Sequence, residues 1–102
     1  MRKVLLSFAI LFCLLPVRAQ EQPDVENAVL DAVMQIEEGR IDSAEHLLDS
    51  LRTTAPDNDA ILYYMGICRY AKRDFTGATG HLKEAVRLDP SNNWYLETLA
   101  NL

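Results

Sequence analysis

The sequence is short of cysteine, glycine, histidine and positive charge, and each shortage excludes something. Among 102 residues there are two cysteines, four glycines and two histidines, and ten basic residues face fifteen acids. That length allows one small domain at most. The two cysteines lie at Cys13 and Cys68. If the first belongs to a removable leader, no intrachain disulfide is left to form. The glycines build no phosphate loop, because Gly77 and Gly80 lie within a helical pattern rather than after a strand. The acidic balance argues against nucleic acid or an anionic membrane as a target of a general basic field. Apolar residues make up 49% of the chain, enough for a packed core and against intrinsic disorder.

Only one long apolar run is present. Residues 1–19 read MRKVLLSFAILFCLLPVRA. Arg2 and Lys3 open it, the run Val4 to Leu15 is broken only by Ser7, and Val17-Arg18-Ala19 fits a cut after Ala19. This is the pattern of a secretory signal peptide. A bilayer span needs about 20 apolar residues, so an uncleaved anchor is the weaker reading. A lipoprotein reading fails on Phe12, which stands where a small residue should precede the modified cysteine. Loss of the leader takes away Arg2, Lys3, Arg18 and Cys13. The remainder has seven basic and fifteen acidic residues, a net charge of −8. Cys68, left alone between Ile67 and Arg69, is read as a small buried hydrophobe.

What is present is a period. Ala44 and Ala78, Leu48 and Leu82, Pro56 and Pro90, Ile41 and Phe75, and Ala32 and Gly66 are each 34 residues apart. A fixed period of this size marks a stacked repeat. The segments between the markers follow helical spacing. Ala28, Val29, Ala32, Val33 and Ile36 form the first face, opened by Pro23 or Asp24 and stopped at Gly39. Asp42 and Glu45 offer a capping box for a second helix with Ala44, Leu47, Leu48 and Leu51. Asp57 or Asn58 opens a third with Leu62, Met65, Gly66 and Tyr70. Thr76 is placed to cap a fourth with Ala78, Leu82, Ala85, Val86 and Leu88, and a fifth begins near Asn92. No segment alternates with period two for long enough to form a strand.

On these residues the chain resembles tetratricopeptide repeats. That family has a helix–turn–helix unit with small residues at its eighth, twentieth and twenty-seventh positions and proline near its end. Gly66, Ala78, Ala85 and Pro90 take those places in residues 59–92, with Leu62, Met65, Phe75 and Leu82 between them. Residues 25–58 match less well: Asp31 stands where leucine is usual and Leu51 where a small residue is usual. Residues 93–102 would be a partial third unit with Leu96, Leu99 and Ala100. The resemblance implies an all-α solenoid of antiparallel helix pairs, two full repeats plus the first helix of a third. The expected organisation is a signal peptide over 1–19, a linker over 20–24 and repeats over 25–102.

The family's first helices line a concave groove. Carried over, its partner-binding residues are Val29, Val33 and Ile36 in the first repeat, Tyr63, Ile67 and Tyr70 in the second, and Trp94 in the third. The groove would be apolar and aromatic with an acidic rim, suited to peptides with apolar side chains. It lacks the Lys, Arg and Asn set of the family's carboxylate clamps. No catalytic constellation is found. His46 beside Asp42, Glu45 and Asp49 is a solvated helix face rather than a metal site, and Asp57-Asn58-Asp59 lacks the later Gly and Glu of a calcium loop. No cofactor is implied. Gly80 is expected to serve close contact with a neighbouring repeat. The reading is a non-catalytic, exported scaffold of bacterial style that binds a protein or peptide, periplasmic, envelope-associated or secreted. Two others stand beside it: the sensory or docking end of a longer envelope receptor or enzyme, and self-association through the groove.

Overall fold

The computed structural model describes residues 24–102, and within them the chain is five helices with no strand. The signal peptide expected over 1–19 lies outside the described residues. Helix α1 covers residues 24–37, so Asp24, assigned above to a linker, is already helical. Then follow α2 (Ile41–Thr54), α3 (Asp59–Ala71), α4 (Phe75–Leu88) and α5 (Asn93–Ala100).

The period reappears as two kinds of turn, each used twice. Between α1 and α2, Gly39 has a φ of 82°. Its N–H donates to the Ile36 carbonyl at 3.0 Å, and the Arg40 N–H donates to the Gln35 carbonyl at 2.8 Å. These two bonds make a Schellman cap on α1. At the equivalent place after α3 stands Arg73, with a φ of 62°. Its N–H donates to Tyr70 and the Asp74 N–H donates to Arg69, both at 2.9 Å. The second kind of turn joins repeats. Asn58 N–H donates to Ala55 and Asn92 N–H to Asp89, both at 3.2 Å, with Pro56 and Pro90 inside the turns.

The helix starts agree with the sequence in part. Asn58 accepts from the Ile61 N–H at 3.2 Å and caps α3, while Asn92 accepts from Trp94 and Tyr95 and caps α5. Two caps differ from expectation. Helix α4 is capped by Asp74, which accepts from the Gly77 N–H at 3.0 Å, and Thr76 lies inside the helix. Asp74 is the residue that leaves the left-handed turn, so it reaches the free N–H groups first. Helix α2 starts one residue before Asp42, with no side-chain cap on Arg40. Asp42 instead pairs with Lys72 of the neighbouring α3–α4 turn.

Two cores are stacked along the chain, and α3 serves both. Val29 and Ala32 of α1, Ala44 and Leu48 of α2, and Ile61, Met65 and Cys68 of α3 form the first. Leu62 and Tyr63 of α3, Leu82 and Ala85 of α4, and Tyr95 of α5 form the second. A helix that packs on both sides must be apolar nearly all round, which is why α3 alone reads so. Its closest neighbour is α4. A Cβ added at Gly66 would stand 3.0 Å from Leu82 Cγ and 3.2 Å from the Ala78 carbonyl oxygen. The small pair expected at the helix crossing is therefore where the axes approach. Gly80 plays no such part: an added Cβ there meets nothing within 4 Å. Gly77 leaves room for the Asp74 carboxylate that caps its own helix.

Candidate interaction face

The first helices of the units, α1, α3 and α5, lie side by side, and two clefts run along the face they share. One, of about 310 Å³, lies between α1 and α3 and is lined by Glu26, Val29, Leu30, Val33, Asn58, Ala60 and Tyr64. The other, of about 220 Å³, lies at the junction of α3 with α5 and is lined by Ile67, Tyr70, Leu82, Thr98, Asn101 and Leu102. Helix periodicity explains the lining. Val29 and Val33 are one turn apart on α1, as Ala60 and Tyr64 are on α3.

The residues expected to bind a partner divide into two groups. Val33, Ile67 and Tyr70 line the clefts, and Trp94 is 64% exposed at the start of α5. Ile36 is half-buried and packs on the first core, away from both clefts. Val29 also lines the α1–α3 cleft but is only 7% exposed, and Tyr63 is 5% exposed and lines neither cleft. Val29 sits low in its cleft as part of the first core. Tyr63 is a structural joint. Its ring stacks on Tyr95 at 4.7 Å with 22° between planes. Its oxygen accepts from the Trp94 indole N–H at 2.5 Å, and its hydroxyl lies 3.3 Å from Thr98 Oγ1. The Thr98 hydroxyl itself donates to the Trp94 carbonyl at 2.9 Å, so the hydroxyl proton that completes the set is that of Tyr63. Nearby, the Tyr95 hydroxyl donates to Asp59 at 2.7 Å. Burial and that carboxylate push the Tyr95 phenol above its ordinary range. Together these bonds hold α5 onto α3.

Two exposed residues were not anticipated. Leu30 and Met34 are 60% and 57% exposed on α1. They stand one period before Tyr64 and Cys68, which pack on the preceding helix pair. Among the described residues no pair precedes α1, so the same face is open there. Shifting the pattern by one repeat would have found them.

The opposite side of the molecule is polar and paired. Arg69 contacts Glu45 at 3.0 Å and Asp74 at 3.6 Å, and Lys72 contacts Glu45 at 2.9 Å and also Asp42. These contacts fasten α2 to the end of α3. They hold the Asp42 carboxyl below and the Lys72 ammonium above their usual ranges. Arg87 pairs with Glu84 one turn earlier on α4 at 2.9 Å. Cys68 is buried, and burial pushes its thiol up to about 11. At neutral pH it stays protonated and packs as a hydrophobe. Burial lowers the His81 pKa, with Arg52 and Arg69 adding to the effect. Among the described residues no three His, Cys, Asp or Glu side chains converge as a metal would require, and no helix is long and apolar enough to cross a membrane.

A sequence-family profile described as tetratricopeptide repeat matches residues 35–102. No curated protein and no solved structure matches the chain.

Proposed function

The chain belongs to the tetratricopeptide-repeat family, and on that premise we propose that it is an exported, non-catalytic scaffold that binds a protein through the face of α1, α3 and α5. Repeats of this family generally mediate protein–protein interactions. The observation that carries the reading is the pair of apolar clefts on that one face, with Leu30, Tyr70 and Trp94 exposed around them. Apolar surface grouped in this way marks a contact site more often than scattered exposed residues do. Export rests on the pattern of residues 1–19, and a periplasmic, envelope or secreted address follows from it.

Two experiments test the proposal. Partner capture from envelope fractions should be lost with Leu30→Asp and Tyr70→Ala combined, while the helical circular dichroism stays unchanged. Both side chains are about half-exposed or more, so their loss leaves the cores intact. Capture that survives in this variant removes the face from the proposal. The intact mass of the native protein tests export. A product that starts at Gln20 supports it, and one that retains Met1 to Ala19 contradicts cleavage.

A second reading rests on α5. Leu96 stands one period after Leu62, which α4 helps to bury, yet Leu96 is 41% exposed. A helix that covers Leu96 would extend the solenoid. This favours a docking role within a larger assembly or a longer protein. Protection of Leu96 in the native protein, read by side-chain labelling of a cysteine placed there, supports that reading; free labelling opposes it.

A further inference from the structure

The inner face carries charge of one sign. Helix α1 holds Asp24, Glu26, Asp31 and Glu37 and no Lys or Arg, and α5 holds Glu97 and no base. The one base of α3, Arg69, is turned to the far side, where Glu45 and Asp74 take it up. Lys72 is held there too. Among the described residues Glu26, Glu37 and Glu97 have no ion-pair partner. Glu26 lines the α1–α3 cleft. Glu37 stands one helical turn beyond Val33 on α1, so it lies just past the end of the same cleft.

An apolar slot with an acid toward either end selects a partner by charge as well as by shape. We infer that the α1–α3 cleft takes a basic amphipathic peptide segment, with aliphatic side chains set against Leu30, Val33 and Tyr64 and Lys or Arg side chains reaching Glu26 and Glu37. This rests on the proposed binding face and adds the chemistry of its occupant. A segment with acidic flanks would be repelled, because the same carboxylates would face its own. The cleft, at about 310 Å³, takes side chains rather than a large cofactor.

The test uses the full chain and synthetic helical peptides of one leucine spacing. One has lysine at every polar position, one has glutamate there, and a third keeps the lysines but has serine for leucine. Fluorescence anisotropy should show binding of the lysine–leucine peptide alone. Glu26→Lys with Glu37→Lys should weaken it by on the order of tenfold. The same reversal on the outer helices, Asp49→Lys with Glu84→Lys, should change it far less. Leu30→Asp is the deciding variant, because it adds negative charge while removing a wall of the cleft. The inference expects weaker binding. Stronger binding, or equal loss from the outer reversal, would mean a diffuse acidic field and would overturn it. Equal binding of the lysine and glutamate peptides overturns the charge selection and leaves the binding face standing. Failure of all three peptides, with a native partner still crosslinking at Val33, also overturns the inference alone. Absence of any crosslink at Val33 or Tyr70 overturns the face itself.

Discussion

Arg73 and Gly39 hold the same place in successive repeats, and both are in the left-handed region. Glycine enters that region freely, whereas a residue with a Cβ pays about 1–2 kcal/mol. Arg73 is therefore a strained link in a turn whose hydrogen bonds are otherwise complete. Arg73→Gly should stabilise the fold by about 0.5–1 kcal/mol, since the relief exceeds the added entropy of the unfolded chain. Chemical denaturation of the two proteins measures it, and no gain would mean that the arginine side chain makes up the strain. Two other glycines should respond in opposite ways. Gly66→Leu forces a side chain between Leu82 and the Ala78 backbone and should cost about 1–3 kcal/mol. Gly80→Ala fills open space on a helix and should add about 0.5–1 kcal/mol.

Among the elements, α5 is the one held by the fewest groups. It is short, and its buried contacts centre on Tyr95 and Leu99 against Tyr63. Tyr63→Ala should free α5 locally while α1 to α4 persist, and should cost about 3–5 kcal/mol at that junction. Hydrogen exchange would show early loss of protection over Asn93–Ala100 alone. Uniform loss would mean that the two cores unfold together. This variant is consequently a poor probe of partner binding, although the family's groove positions place Tyr63 among the binding residues. The repeat spacing located all five helices, because the small residues and prolines that punctuate it act locally. Spacing could not tell which groove side chains a neighbour covers. Tyr63 is buried because Trp94 and Tyr95 follow one helix pair later, and Glu97, its own equivalent in α5, has no such neighbour. The cap of α4 was missed for a similar reason: Asp74 is set by the left-handed residue before it, which an arginine does not announce.

The whole molecule divides by side. Outer helix α2 pairs its acids with Arg69 and Lys72 at the end of α3, and α4 pairs Glu84 with its own Arg87, while the inner helices leave apolar clefts and unpaired acids. Exposed ion pairs of this kind are screened by solvent and contribute little to stability. The outer network therefore sets surface chemistry more than stability. Asp42 shows the sign of its pH dependence. Its folded pKa is depressed, so its contribution is present above the ordinary carboxylate value and is lost as pH falls through the folded one. That leaves the fold insensitive to pH around neutrality from this source.

The central claim is that the inner face meets a protein partner. Site-specific photocrosslinking in living cells tests it most directly. A photoreactive residue at Val33 or Tyr70, on the inner clefts, is compared with one at Asp49 or Lys83, on the outer helices. The account predicts a discrete adduct of higher mass from the two inner positions and none from the outer two. Adducts from Asp49 and Lys83, with Val33 and Tyr70 silent, would contradict it.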